Sequence, residues 1–144
     1  MIAPDEYAAR VAALLERPLF SGTHVGLAFP PGWMTLIETL VTALDALPGG
    51  EVLRVRQTKA KLGGLRFRLA RPEISGDGDS QEEDPTMAAA QELITVAESS
   101  SEAICMVCGE PGYAHVANRH EMNQLTAAPF TTALRARGLA ADVW

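Results

Sequence analysis

Aromatic side chains are scarce, 6% of 144 residues, and cysteine occurs only twice. Basic residues are the minority charge, 12 against 18 acids, for a net charge of −6. That balance argues against a chain whose whole surface coats nucleic acid. No apolar run reaches the roughly 18 residues of a membrane span. The first residues, MIAPDEYAARVAALLERP, bring acids early and lack the charged, apolar, small-residue order of a secretory leader, so a cytoplasmic protein is expected. There is no G-x-S-x-G, P-loop or HExxH sequence. The acids of 73–84 lie in a stretch too polar to fix catalytic geometry. A non-enzyme is therefore expected. Two cysteines three positions apart also exclude a disulfide framework.

What the chain does have is enough apolar material, 47%, to bury one core, so residues 1–144 are expected to form a single domain. Pro4, Asp5 and Glu6 suit the start of a helix over 4–16, with Tyr7, Val11, Leu14 and Leu15 on one face. Alternation in THVGLAF predicts a strand over 23–29, stopped by Pro30, Pro31 and Gly32. Trp33, Leu36, Ile37, Leu40, Val41, Leu44 and Leu47 recur at helical spacing, and Pro48, Gly49 and Gly50 close that helix. The acidic, Gly- and Ser-rich stretch 73–84 reads as a mobile loop. Asp84 and Pro85 form a cap and first turn for a helix to about 102, with Met87, Ala90, Leu93, Ile94 and Ala97 inward. A short helix over about 127–137 ends at Gly138. The expected fold class is α+β: a small antiparallel sheet of about three strands, packed on one face by helices, with a CxxC knuckle over 103–120.

The segment RVRQTKAKLGGLRFRLAR, 54–71, concentrates seven of the twelve bases. With Glu51 included, segment 51–71 carries +6, so the rest of the chain carries −12. Leu53 and Val55 alternate with Arg54 and Arg56; Leu65, Phe67 and Leu69 alternate with Arg66 and Arg68. A ribbon reversing at Gly63–Gly64 places the apolar set inward and Arg54, Arg56, Arg66 and Arg68 together outward. Long Arg stems can simply cover an exposed sheet. They can also bind, since the guanidinium fork suits carboxylates and phosphates. Arg54, Arg56, Lys59, Lys61, Arg66 and Arg68 are the candidate partner-binding residues. An acidic protein surface suits them better than nucleic acid, because no aromatic residue accompanies the outward cations for base stacking.

Cys105 and Cys108, followed by Gly109 and by Pro111-Gly112, can present two thiolates to one zinc. His115 and His120 are the nearest further ligands, giving C-x2-C-x6-H-x4-H. Two other readings stand beside zinc: a packed pair of free thiols and a redox dithiol, the latter without a thioredoxin-like strand ahead of it.

Three blocks carry a resemblance: Gly32-Trp33 with LIETL; Gln57, Lys59, Lys61, Gly63, Gly64, Leu65, Arg66 and Phe67; and AESSSEAICMVCGEPG. Together, over about 32–112, they resemble a family of small bacterial and prophage-associated proteins of uncharacterised activity. The resemblance implies a knuckle completed by a second Cys-x-x-Cys or Cys-x-x-His pair. Here the downstream NRHEMNQLTAAPF has no cysteine, so either His115 and His120 substitute or the metal site has decayed. The function expected is that of a binding protein that occupies a protein partner, such as a toxin-immunity protein or a phage-encoded inhibitor of a defence protein. The −12 outside the arginine segment also suits covering a basic surface. The alternative is a zinc-knuckle module binding nucleic acid through the arginine face; an enzyme is the third class.

Overall fold

A computed structural model describes residues 2–21, 29–61, 63–70, 84–110 and 119–139, with the backbone alone over 119–127. The expected strand at 23–29 but for Phe29, all of the acidic loop 73–84 but Asp84, and His115 lie outside the described residues.

Among the described residues, four α-helices and one hairpin make the frame: α1 (Pro4–Leu15), α2 (Met34–Asp45), β1 (Val55–Lys61), β2 (Gly64–Leu69), α3 (Pro85–Ser101) and α4 (Arg119–Ala136). Among the described residues the sheet has two strands, paired antiparallel. The elements touch in series. The ribbon's β2 lies on α3, α3 on α2, α2 on α1, and α1 on α4. None of the described helices is long and apolar enough to cross a membrane.

α2 is the centre of this series. Met34, Ile37, Leu40, Val41 and Leu44 are buried along it, and Trp33 at its start is wholly enclosed. These positions follow the 3.6-residue period, so one face is continuously apolar. α3 starts as its sequence dictates: the Asp84 carboxylate accepts from Thr86 N at 3.0 Å, with Pro85 in the first turn. The Thr86 hydroxyl donates to Pro48 O at 2.7 Å, which fixes the start of α3 to the end of α2. The opposite end of the series closes on Tyr7. Its ring meets Phe29 and Phe130 edge-on, with centroids 6.0 and 5.3 Å away, and its hydroxyl donates to Phe29 O at 2.8 Å. Burial pushes this phenol well above its ordinary pKa.

One helix differs from expectation. α4 begins at Arg119 rather than near 127, and carries Pro129 in its interior. Proline removes one helical N–H and crowds the preceding turn. Here the helix runs through it.

Candidate functional site

The ribbon is built from the register upward. Thr58 faces Phe67, Lys59 faces Arg66, Ala60 faces Leu65 and Lys61 faces Gly64. The chain therefore reverses between Lys61 and Gly64, where Gly63 takes φ 78°, a region that an L side chain enters at a cost. Gly64 is already in the strand. Leu53, Val55, Leu65 and Phe67 are buried, as the alternation predicts, and Leu69 is partly buried against them.

The outward face departs from simple alternation. Between Val55 and Gln57 the register slips, because Val55 faces Leu69 while Gln57 faces Arg68. Arg56 is the extra residue of this β-bulge, and both Arg56 and Gln57 are exposed. After the slip Thr58 points inward, and Lys59 and Lys61 join Arg66 and Arg68 on the outward face. Unbroken alternation would have turned both lysines toward the core. The bulge thus lets the ribbon keep Val55 inside and still show a longer row of cations.

Two of the six candidate cations have other business. Arg54 precedes β1, and its guanidinium donates to Glu51 O at 2.8 Å and Leu53 O at 2.7 Å. These bonds turn its guanidinium toward carbonyls of its own segment, just before the ribbon. Arg66 approaches Glu98 of α3 at 3.9 Å and also donates to Leu65 O at 3.1 Å. Arg56, Lys59, Lys61 and Arg68 form no ion pair among the described residues.

α3 secures the ribbon's outer edge. Leu65 N donates to the Ser101 hydroxyl at 2.8 Å, and that hydroxyl donates to Glu98 O at 2.6 Å. Ser101 is fully buried, so a side chain satisfies an edge amide that would otherwise be sealed without a partner. Beneath the bulge the opposite holds: the Thr58 hydroxyl is buried with no hydrogen-bond partner among the described residues.

The second candidate site is the turn after α3. Gly109 N donates to Cys105 O at 3.0 Å and Cys105 N to Glu110 O at 3.0 Å, which closes the chain around Cys105–Gly109. Gly109 takes φ 77°. The turn presses on the segment before α2: Gly32 N donates to Met106 O at 2.8 Å and Trp33 Nε1 to Ile104 O at 3.3 Å. A Cβ on Gly32 would stand 2.1 Å from Cys105 O, so only glycine fits this approach. That contact was invisible in the sequence, where Pro30-Pro31-Gly32 reads as a strand stop. The Gly after Cys108 was its one available hint.

Both thiols are free; Cys105 is buried and Cys108 half-buried. The two cysteines approach to 3.4 Å. Burial opposes charge on the Cys105 sulfur. The amides of Cys108 and Val107, the Cys108 side chain and the Gly109 amide outweigh it, and the thiol sits below its ordinary range. Among the described residues no cluster of three or more ligating side chains gathers. His120 lies in the first turn of α4, and only its backbone is described.

A cavity of about 560 Å³ opens beside Cys108, between α1, α2 and the turn; Glu6, Arg10, Thr35, Thr39, Cys108 and Gly109 contribute to its wall. Arg10 is held there by Glu38, to which its Nε donates at 3.2 Å, and by Glu6. Comparison with family models, with curated proteins and with solved structures returns no match.

Proposed function

We propose that this chain is a non-enzymatic binding protein that acts by occupying a protein partner, and that the outward face of the β1–β2 ribbon meets an acidic surface on that partner. The supporting observation is the row Arg56, Lys59, Lys61 and Arg68, exposed or partly exposed and without a counter-ion among the described residues. Lys59 even stands directly opposite Arg66. Like charges opposed across a ribbon oppose folding by a few tenths of a kcal/mol to about 1 kcal/mol. A ribbon serving stability alone would alternate its signs, so the arrangement is better explained by what it attracts. An immunity protein or a phage-encoded inhibitor is the role this mode of action fits.

Protein is favoured over nucleic acid because Phe67, the ribbon's aromatic residue, is 2% exposed and offers no ring for stacking. The alternative, a zinc-held knuckle presenting the ribbon to nucleic acid, is favoured by the close approach of the two cysteines at 3.4 Å. The two readings separate in one binding series. Polyglutamate and a duplex DNA are titrated against the full chain and against the variant R56E/K59E/K61E/R68E at several salt concentrations. The first reading expects polyglutamate to bind, to weaken with salt, and to lose at least tenfold in affinity in the variant. Tighter binding of the duplex, with a steep salt slope, and retained zinc would support the alternative. Binding of neither probe would overturn both.

A further inference from the structure

We infer that Cys105 and Cys108 form a thiol–disulfide exchange site that takes low-molecular-weight disulfides of the glutathione class through the cavity beside Cys108. This goes beyond the ribbon reading and does not depend on it. Three observations converge on the pair.

The first is proximity. The two cysteines approach to 3.4 Å without being bonded, and Cys108 N donates to Cys105 Sγ at 3.5 Å. The second is rigidity. The turn's own bonds, Gly109 N to Cys105 O and Cys105 N to Glu110 O, and its tie to Gly32, keep the two Cα positions fixed while the side chains move. The third is asymmetry of access. Cys108 is half-buried and lines the cavity, whereas Cys105 is 3% exposed and does not line it. A volume of about 560 Å³ falls in the range of sites for small organic ligands.

Access and proximity assign the order of steps. The Cys108 sulfur, having lost its proton, attacks one sulfur of the incoming disulfide. The ligand's S–S bond breaks, one small thiolate leaves and takes up a proton, and a mixed disulfide remains on Cys108. The deprotonated Cys105 sulfur then attacks the Cys108 sulfur, and the second small thiolate leaves and is protonated in turn. The protein's two thiols are oxidised by two electrons, the small disulfide is reduced to two thiols, and both protons pass to the products.

The test uses the full chain as purified, with oxidised glutathione as the probe and intact-mass and peptide-mapping mass spectrometry as the readout. The expected product of the wild-type chain is an internal disulfide, two hydrogens lighter, with no retained glutathione and reversed by reduced glutathione. C105S should stall as a stable mixed disulfide on Cys108, and C108S should react at least tenfold more slowly. Because either variant can fail to fold, the wild-type chain is also pulsed with a thiol alkylator, and Cys108 should be labelled before Cys105. Accumulation of a stable glutathione adduct on the wild type, persistence of two reduced thiols (bare or held by zinc), or equal labelling of the two cysteines would overturn the assignment.

Discussion

Two reversals of this chain share a backbone conformation and differ in everything around it. Gly63 turns the ribbon at φ 78°, and Gly109 closes the cysteine turn at φ 77°. The first stands at the end of a two-stranded hairpin. The second lies against Gly32, and a Cβ on Gly109 would come within 2.9 Å of the Gly32 carbonyl oxygen. The comparison separates two reasons for glycine, torsion and space, that the sequence writes with the same letter. It also divides the molecule into a packed turn that tolerates little change and a charged ribbon whose outer side chains can be altered without opening the core.

The largest effect tests that division directly. Gly32→Ala drives a Cβ to 2.1 Å from Cys105 O and 2.6 Å from the Met106 carbonyl carbon, both backbone atoms that cannot swing aside. A loss of about 3 kcal/mol is expected in denaturant unfolding, with the slope unchanged. Gly63→Ala meets a torsional penalty at φ 78° of about 1 kcal/mol. Equal losses for the two would remove the distinction between the turns. Next in size is Ser101→Ala. It leaves the Leu65 amide sealed at the ribbon's edge without its 2.8 Å acceptor, and about 1–3 kcal/mol should be lost. Hydrogen exchange at Leu65 should quicken at the same time; an unchanged exchange rate would show that α3 does not hold the edge. The smallest effect has the opposite sign. Thr58→Val removes a buried hydroxyl that has no partner while keeping the branched shape, so a gain of up to about 1 kcal/mol is expected. A clear loss of stability would show that the hydroxyl makes a bond not accounted for by its neighbours.

How far each feature was legible depends on whether its cause is local. The cap at Asp84, the apolar stripe of α2 and the inward set Leu53, Val55, Leu65 and Phe67 follow from neighbours a few positions away, and they are found where the pattern puts them. The bulge at Arg56 was not legible. VRQTKAK carries one large apolar residue, so nothing within it marks which side faces the core; pairing with β2 decides. The bonds from Arg54 to the Glu51 and Leu53 carbonyls were not legible either, because a flexible guanidinium answers to whichever acceptors are near. Gly32 was read as punctuation, since its partner, Met106, lies far along the chain. In α4, the helix read over about 127–137 extends back to Arg119 and carries Pro129 inside it. For the cysteine pair, spacing gave the two sulfurs but not the unequal access to them, which comes from the cavity that α1 and α2 build beside Cys108.

The helix that opens the chain packs on the last one described, and Tyr7 meets Phe130 at 5.3 Å. Synthesis runs from one to the other. While the intervening residues emerge, the first helix has to keep its apolar stripe without the neighbour that finally covers it. Acquisition of the native state thus waits on a contact between segments far apart in sequence, a feature that slows folding. A ribosome-bound nascent chain stopped short of Phe130 should accordingly be more open to proteases around Tyr7 than the finished protein.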